Sequence, residues 1–501
     1  MVKSKLGQVL KAAGVVLAFC ALAAPGPSNQ QLLQLERARS LGDGALAGML
    51  DGPDRTLAIR AALAIGRTKD ARGAAVLLRH VHDRNPAMRA MAVYGLGLLA
   101  VPRSQDAVLA AAGDGSSAVR YAAVDAIGRL ETAGRFDATH EPVAARLLET
   151  MIAPQPGNAL EKDAIVRAHA AANTEAFRKG QQGFGMSEAL VRAFDAERND
   201  DVRWHLMWAI FRGYRLRVPR AVLLNALHDP NELVRIGAVR ACGGLTDDRG
   251  KPAADVIPSL EPLTHDPSWR VQEQAFEAIR ALSGKPPTDH LTELPPGLNL
   301  PPPKTLPPIA ALPRPSVTGS PAAPAVSEAR FRPRLDPASA AAMDGPMPGL
   351  HPRVRIGTTK GDFIVVLYPE WAPLTVANFL NLTNRGYFDG LRWFRIVPDF
   401  VVQTGDPHDN GEGDAGYSIP AEENPVEQRS YVISMGLNYN DAGPERDSAG
   451  TQFYITLSPQ LHLDRDFTVF GEVTGGTEVL AHLIETDRMT KVEQLPDVML
   501  R

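Results

Sequence analysis

Between Gln30 and Ser283 apolar residues recur at helical spacing, in a chain rich in alanine, leucine and arginine with almost no strand pattern. From Val354 the pattern changes. Val354-Arg-Ile356 alternates, Phe363-Ile-Val-Val-Leu367 is a short apolar run, and strand-like segments with turns continue to about 495. Helical spacing returns near 373–384 and 475–485. The chain is therefore expected to be all-helical first and then an antiparallel sheet or barrel, the pattern not choosing between those two. At 501 residues it exceeds what one hydrophobic core holds, so several domains are expected.

The helical region repeats. Asp83-Arg-Asn-Pro-Ala-Met-Arg89, Asp114-Gly-Ser-Ser-Ala-Val-Arg120 and Asp229-Pro-Asn-Glu-Leu-Val-Arg235 each set Asp six residues before Arg. A glycine follows eight residues after each arginine, at Gly97, Gly128 and Gly243. A fourth copy, Asp266-Pro-Ser-Trp-Arg-Val-Gln272, replaces the Arg with Gln. Weaker copies run through 53–67 and 199–214, whereas 131–198 is irregular and Gly180-Gln-Gln-Gly183-Phe-Gly185 interrupts any helix there. The Asp stands where a turn gives way to a helix and can cap the first amides. Six residues make about 240° around a helix, so the Arg does not face its own Asp. It is expected to reach the Asp of a neighbouring repeat, building a ladder; ordinary caps and solvated arginines are the alternative. The pattern resembles HEAT-type repeats, with a 31-residue step from Asp83 to Asp114 like that of compact variants. Stacked helix pairs of this kind, over 30–283, imply a solenoid with an extended surface for a protein partner.

Residues 284–350 crowd prolines at 286, 287, 295, 296, 301–303, 307, 308, 313 and 315, and read as an extended linker. Docking of Ala329-Arg-Phe-Arg-Pro-Arg-Leu335 onto a domain is a second reading. At the other end, Lys3, Lys5 and Lys11 precede an apolar run from Ala12 to Ala23, with Ala21-Leu22-Ala23 as a cleavage site. That layout predicts a signal peptide over 1–23 and export to the periplasm or cell envelope. The run is short for a membrane span, so membrane contact is expected only if this segment is retained as an anchor. Lipid attachment at Cys20 fits poorly behind the bulky Phe19. Cleavage leaves Cys242, in an Ala/Gly-rich helical stretch, as a small core residue without a disulfide partner.

The formal charge is −4, and −7 without residues 1–23. No basic block appears, which argues against nucleic acid as the main partner.

The segment richest in chemistry is Trp393-Phe-Arg-Ile-Val-Pro-Asp-Phe-Val-Val-Gln-Thr-Gly-Asp406. It sets a lone cation, Arg395, in an apolar, β-prone run, and on an alternating strand 393, 395 and 397 share one side. An arginine stays protonated and is seldom buried without a partner. Arg395 is therefore expected in the wall of an apolar groove, with Gln403 placed to hold its guanidinium.

The flanking motifs keep an order. Pro373-Leu-Thr-Val-Ala-Asn-Phe379 and Gly386-Tyr-Phe-Asp-Gly390 precede the segment; Gly450-Thr-Gln-Phe-Tyr-Ile455, Leu463-Asp464 and Phe470-Gly471 follow it. Together they resemble the cyclophilin-type peptidyl-prolyl isomerases over about 352–496. The resemblance implies an eight-stranded antiparallel β-barrel with two capping helices over 351–496, no cofactor, and isomerisation of X-Pro bonds in polypeptide clients, as a folding catalyst or chaperone. It assigns Arg395 as the catalytic residue and Gln403 as the group that holds it and meets substrate backbone. Phe400, Val401, Tyr454 and Leu463 fall to the proline pocket; Val401 stands where methionine is common and Tyr454 where phenylalanine is common. Gly436 and Gln452 fall to the groove beside the proline. His462 and Phe467 occupy positions often held by tryptophan and histidine, which implies weaker binding of cyclosporin-type inhibitors. The segment 437–449 is longer than usual and would rim the groove. A scaffold that binds proline segments with little catalysis is the alternative function.

Asp406, His408, Asn410 and Gly411 imitate the start of a calcium loop, but its twelfth position is Tyr417 instead of an acid. A solvated turn without metal is expected there.

Overall fold

A computed structural model describes residues 27–153, 160–179, 183–303, 351–441 and 443–498. The expected signal peptide at 1–23 and the segment 329–335 lie outside the described residues. The chain divides into two units between Pro286 and Pro287.

In the first unit the helices Arg55–Arg67, Pro86–Leu99, Ser117–Thr132, Ala164–Asn173, Asp200–Ala209, Glu232–Gly243 and Trp269–Leu282 stack each on the next. Shorter helices between them pack onto this row. The repeated glycines stand where the row touches: a Cβ on Gly97 would fall 2.7 Å from Ala126 Cα, and one on Gly243 2.9 Å from Ala278 Cβ. Cys242 is fully buried, and burial pushes its thiol up to about 11, so it packs as a small apolar group.

The ladder is longer than the repeats in sequence. Arg89 makes a two-pronged pair with Asp114 (2.8 and 2.8 Å), and Arg235 does the same with Asp266 (2.8 and 2.8 Å). Between them the rungs use glutamate: Arg120 reaches Glu161 (2.6 and 2.7 Å) and Arg167 reaches Glu197 (3.0 Å), before Arg203 pairs with Asp229. Each arginine also donates to the main-chain carbonyl six residues back, Arg89 to Asp83 and Arg235 to Asp229, so it does meet its own repeat's turn. Gln272 keeps that carbonyl contact with Asp266 O at 2.5 Å. The aspartates do not cap the helices directly. Asp114 and Asp229 accept the N–H of Ser116 and Asn231, the residues before the first helical turn, and Asn231 then caps Leu233 N–H.

The second unit is an eight-stranded antiparallel sheet: β1 (His351–Thr358), β2 (Gly361–Leu367), β3 (Arg395–Val397), β4 (Val401–Thr404), β5 (Val432–Met435), β6 (Phe453–Thr456), β7 (Val469–Gly475) and β8 (Met489–Val498). The order is β8-β1-β2-β7-β5-β6-β4-β3. The seam closes through Gly390 N–H to Met489 O (2.8 Å) and Trp393 N–H to Asp487 O (3.0 Å), which makes the sheet a barrel. The helix Pro373–Asn384 packs Val376 and Phe379 into the core. The second helix is only Thr477–Leu480, shorter than the expected 475–485. The chain after it turns back to bring Glu485 and Asp487 to the seam.

The expected linker is not one along its first part. Residues 287–303 belong to the barrel unit, and Leu291 is buried in the barrel core. Leu291 N–H donates to Ile396 O (2.9 Å), and its carbonyl accepts Glu485 N–H (3.0 Å). His482 Nε2 lies 2.7 Å from Pro301 O. The cause is β3, a three-residue edge strand whose outward backbone groups need partners. This strap supplies a carbonyl's partner, and Glu485 Oε1 accepts Ile396 N–H at 3.1 Å. The rest of the expected linker, 304–350, lies outside the described residues.

Candidate active site

β3 and β4 form a tight hairpin that builds the site. Pro398 fixes the first turn position, and Asp399 adopts φ 51°, a left-handed conformation that Asp tolerates. Ser458 Oγ and Gln460 Nε2 donate to Asp399 O at 2.5 and 3.1 Å, which fixes the turn and the Phe400 that follows it. The ladder places Arg395 directly opposite Gln403, and Gln403 opposite Tyr454.

Arg395 is half-buried. Its Nη1 donates to Gln403 Oε1 at 3.4 Å, and its guanidinium lies 5.7 Å from the centre of the Phe400 ring. Among the described residues it forms no ion pair. Gln403 Nε2 donates to Gln452 Oε1 (3.2 Å), and Gln452 Nε2 donates to Gly411 O (2.9 Å) and Gly413 O (3.1 Å). This relay fixes which way the Gln403 amide faces, leaving its oxygen for Arg395.

Beside the arginine, Val401, Tyr454, Leu463 and Phe467 form a small apolar cluster separate from the barrel core, with Phe400 and Leu437 packed on it. Phe467 meets Tyr454 edge-on at 5.7 Å. Burial pushes the Tyr454 phenol well above its ordinary value, so this wall carries no charge. The cleft holds about 490 Å³ and is lined by Arg395, Phe400, Val401, Gln403, Gly436, Tyr454, Leu463 and Phe467. Gln452 stands behind Gln403, and His462 stacks on Phe400 at 6.0 Å and 16°.

Trp393 departs from the shared-face expectation. Ladder pairing starts only at Arg395, so Trp393 turns into the core against Phe363 and Phe453, and Phe394 lines the cleft instead. Leu437 and Tyr439, from the segment expected to rim the groove, line it too. Asp406 is buried and accepts the N–H groups of His408 (2.7 Å) and Asn410 (3.0 Å), so its carboxylate shapes a turn. His290, from the strap, also lines the cleft, with Nδ1 2.8 Å from Glu485 Oε1. No local motif marks it, and only the fold brings it there.

A half-buried cation without a counter-charge among the described residues, set beside an apolar cluster in a cleft of about 490 Å³, defines a site for an amide-containing apolar ligand. The family described as cyclophilin type peptidyl-prolyl cis-trans isomerase/CLD matches residues 353–501, and the HEAT repeat family matches 43–128, 74–175 and 220–294. Peptidyl-prolyl cis-trans isomerase B of Bacillus subtilis (strain 168) is 44% identical over 128 residues, 25% of this chain and 85% of that protein. Peptidyl-prolyl cis-trans isomerase CYP18-2 of Arabidopsis thaliana is 39% identical over 142 residues, 28% of this chain and 85% of that protein. A crystal structure of a Cryptosporidium parvum cyclophilin type peptidyl-prolyl cis-trans isomerase aligns at 24% identity and a TM-score of 0.27, over 29% of this chain and 98% of that one. The chain belongs to the cyclophilin-type peptidyl-prolyl cis-trans isomerase family, and it carries HEAT repeats ahead of that domain.

Proposed function

We propose that the cleft isomerises X-Pro bonds of polypeptide clients, with Arg395 as the catalytic residue. An X-Pro bond exchanges over tens to hundreds of seconds, against a barrier near ~20 kcal/mol that is largely lost amide resonance. In the twisted state the prolyl nitrogen holds a localised lone pair. A guanidinium beside that nitrogen stabilises the twisted state far more than the planar one, and such differential binding is what lowers a barrier. Millisecond turnover asks for about 5.5–7 kcal/mol. A preorganised charge beside an apolar cluster, with Phe400, Val401, Tyr454, Leu463 and Phe467 gripping the proline ring, is the source this reading assigns. Gln403 orients the arginine and meets substrate backbone, and Gly436 and Gln452 shape the groove beside the proline.

The observation that carries this reading is Arg395, without an ion pair among the described residues, next to the apolar cluster. A proline-peptide isomerisation assay on the whole chain tests it. Arg395→Ala is expected to lose about 10²-fold or more in kcat/KM with an unchanged thermal melt. Equal, uncatalysed rates for both proteins would leave only the proline-binding scaffold, the reading for which the altered His462 and Phe467 leave room.

The HEAT repeats are read as the surface that recruits a protein client or partner; with no basic block, nucleic acid has no place in this reading. Residues 1–23 are read as an export signal to the periplasm or envelope. Among the described residues no helix is long and apolar enough to cross a membrane, so any membrane contact in this reading runs through a retained N-terminal segment. A mature N-terminus near residue 24 in the exported fraction supports export, and an intact chain confined to the cytoplasm refutes it.

A further inference from the structure

Rung after rung of the solenoid matches an arginine with a carboxylate. One cluster departs from that rule. The helix Asp200–Ala209 runs into a π-helical turn, Ile210–Tyr214, a local widening often found at functional sites. The guanidinium groups of Arg212 and Arg240 lie 6.0 and 5.7 Å from the centre of the Phe211 ring. Arg215 donates to Phe211 O and to Gly244 O, each at 3.2 Å, both neutral acceptors. Arg178 packs on the same turn, since a Cβ on Gly213 would fall 3.1 Å from Arg178 Cβ. It pairs with Glu175 at 2.6 Å. Arg240 Nε donates to Gln274 Oε1 at 2.7 Å.

Arg212 and Arg215 are half-buried, and neither forms an ion pair among the described residues. The Nε of Arg212 is buried there without a hydrogen-bond acceptor. Burial pulls the Arg212 pKa down; Glu175 opposes this, but Arg178, Arg240 and Arg215 add to it. Positive charge is thus collected faster than it is neutralised, and leaving a buried donor unmet is costly. Beside the cluster, Leu216 is 61% exposed, an unusual position for a large apolar side chain on this unit.

We propose that Arg178, Arg212, Arg215 and Arg240 around Phe211, with Leu216 at the edge, dock an acidic segment of a partner protein: a run of Asp or Glu carrying one large apolar residue. Guanidinium groups stacked on an aromatic face keep their in-plane N–H groups for two-pronged bonds to carboxylates. Recognition of acidic motifs by clustered arginines is a recurrent binding mode, and an exposed apolar side chain at its edge supplies the anchor. The chain's own segment 304–350 does not match this chemistry. It carries Lys304, Arg314, Arg330, Arg332 and Arg334 against Glu328, Asp336 and Asp344, a net positive charge. The inference rests on the reading of the repeats as a partner-binding surface and names the partner's chemistry.

The test uses the full chain and a fluorescent, glutamate-rich peptide containing one leucine, followed by anisotropy. The peptide is expected to bind at least about tenfold tighter than its glutamine counterpart, with affinity falling as salt rises. Arg212→Gln and Arg215→Gln each weaken it about tenfold, Arg212→Lys less, and Leu216→Ser weakens it too. Arg192→Gln, at an exposed arginine on the helix Gly183–Ala196, leaves it unchanged. Thermal melts accompany every variant; if Arg212→Gln unfolds, Arg215→Gln and Arg212→Lys carry the comparison. Equal binding of the two peptides, or wild-type affinity in the Arg212 and Arg215 variants, overturns the proposal. So does a phosphopeptide that binds where the glutamate peptide does not. Isomerisation of a short proline peptide is expected to stay at the wild-type rate throughout, so failure here is separate from failure of the catalytic reading.

Discussion

Gln403 illustrates how one side chain serves the site through its neighbours. Its amide is fixed at both ends, nitrogen toward Gln452 and oxygen toward Arg395, while Gln452 is itself tied to two glycine carbonyls. The arginine has no carboxylate to orient it among the described residues. That suits a catalytic cation, because a counter-ion would neutralise the charge the twisted imide is meant to meet. Replacing Gln403 with leucine roughly keeps the shape and removes the hydrogen bond that steers the guanidinium. The expected outcome of Gln403→Leu is a fall of about tenfold or more in kcat, with a smaller rise in KM from the lost contact to substrate backbone, since the apolar hollow that grips the ring is intact. A rise in KM at unchanged kcat would mean that Gln403 acts in ground-state binding instead. Arg395→Lys keeps the charge but not the planar fork, and is expected to recover only part of the activity lost in Arg395→Ala.

At the scale of elements, the strap and the ladder are where structure adds most to the sequence. The strap fills a defect that β3 creates. Leu291→Ala removes a buried side chain at the barrel seam and is expected to cost about 2–4 kcal/mol, read as a lowered unfolding midpoint for the barrel. His290→Ala, at an exposed side chain, is expected to leave that midpoint nearly in place while shifting KM among peptides that differ beside the proline. Unchanged KM values across such a panel would show that His290 only braces Glu485. In the solenoid, Arg235→Met strands the buried Asp266 carboxylate and is expected to cost about 2–4 kcal/mol. The loss would spread beyond one repeat, because each turn is stabilised mainly by its neighbours. Much of this was legible. The Asp-to-Arg spacing predicted inter-repeat pairing, and the Arg395 to Gln403 segment, with its flanking motifs, predicted the cleft walls. What hid the rest is physical. Glu161 and Glu197 replace aspartate in their rungs, and the step from Asp114 to Glu161 is 47 residues, so the period vanishes while the geometry persists. A proline-rich strap has no periodicity, because its bonding partners are a strand edge and a loop far away in sequence.

For the whole molecule, half-buried acids point to an unusual dependence of stability on pH. Burial pushes Glu370 and Glu472 in the barrel unit up to about 7. Burial, with Glu141 nearby, raises Glu131 in the solenoid to about 7 as well. Their ordinary value in an unfolded chain is near 4.5. Between about 4.5 and 7 the folded protein therefore holds protons that the unfolded chain has already released, and stability falls as pH rises through that window. His351 works in the opposite sense: burial lowers its pKa, so the folded state favours the neutral ring and gains as pH rises past the folded value toward the unfolded one. The raw melting profile mixes these contributions, and because Glu370 lies 3.8 Å from His351 Nδ1, Glu472→Gln separates them more cleanly than Glu370→Gln. Glu472→Gln and Glu370→Gln remove the acids while keeping side-chain volume. Relative to wild type, each is expected to become progressively more stable from about pH 5 to about pH 8, with the difference levelling off above about 7. A difference that is flat across this range would mean that the carboxylates are already ionised in the folded barrel, and that the interior around β2 and β7 is wetter than its packing indicates.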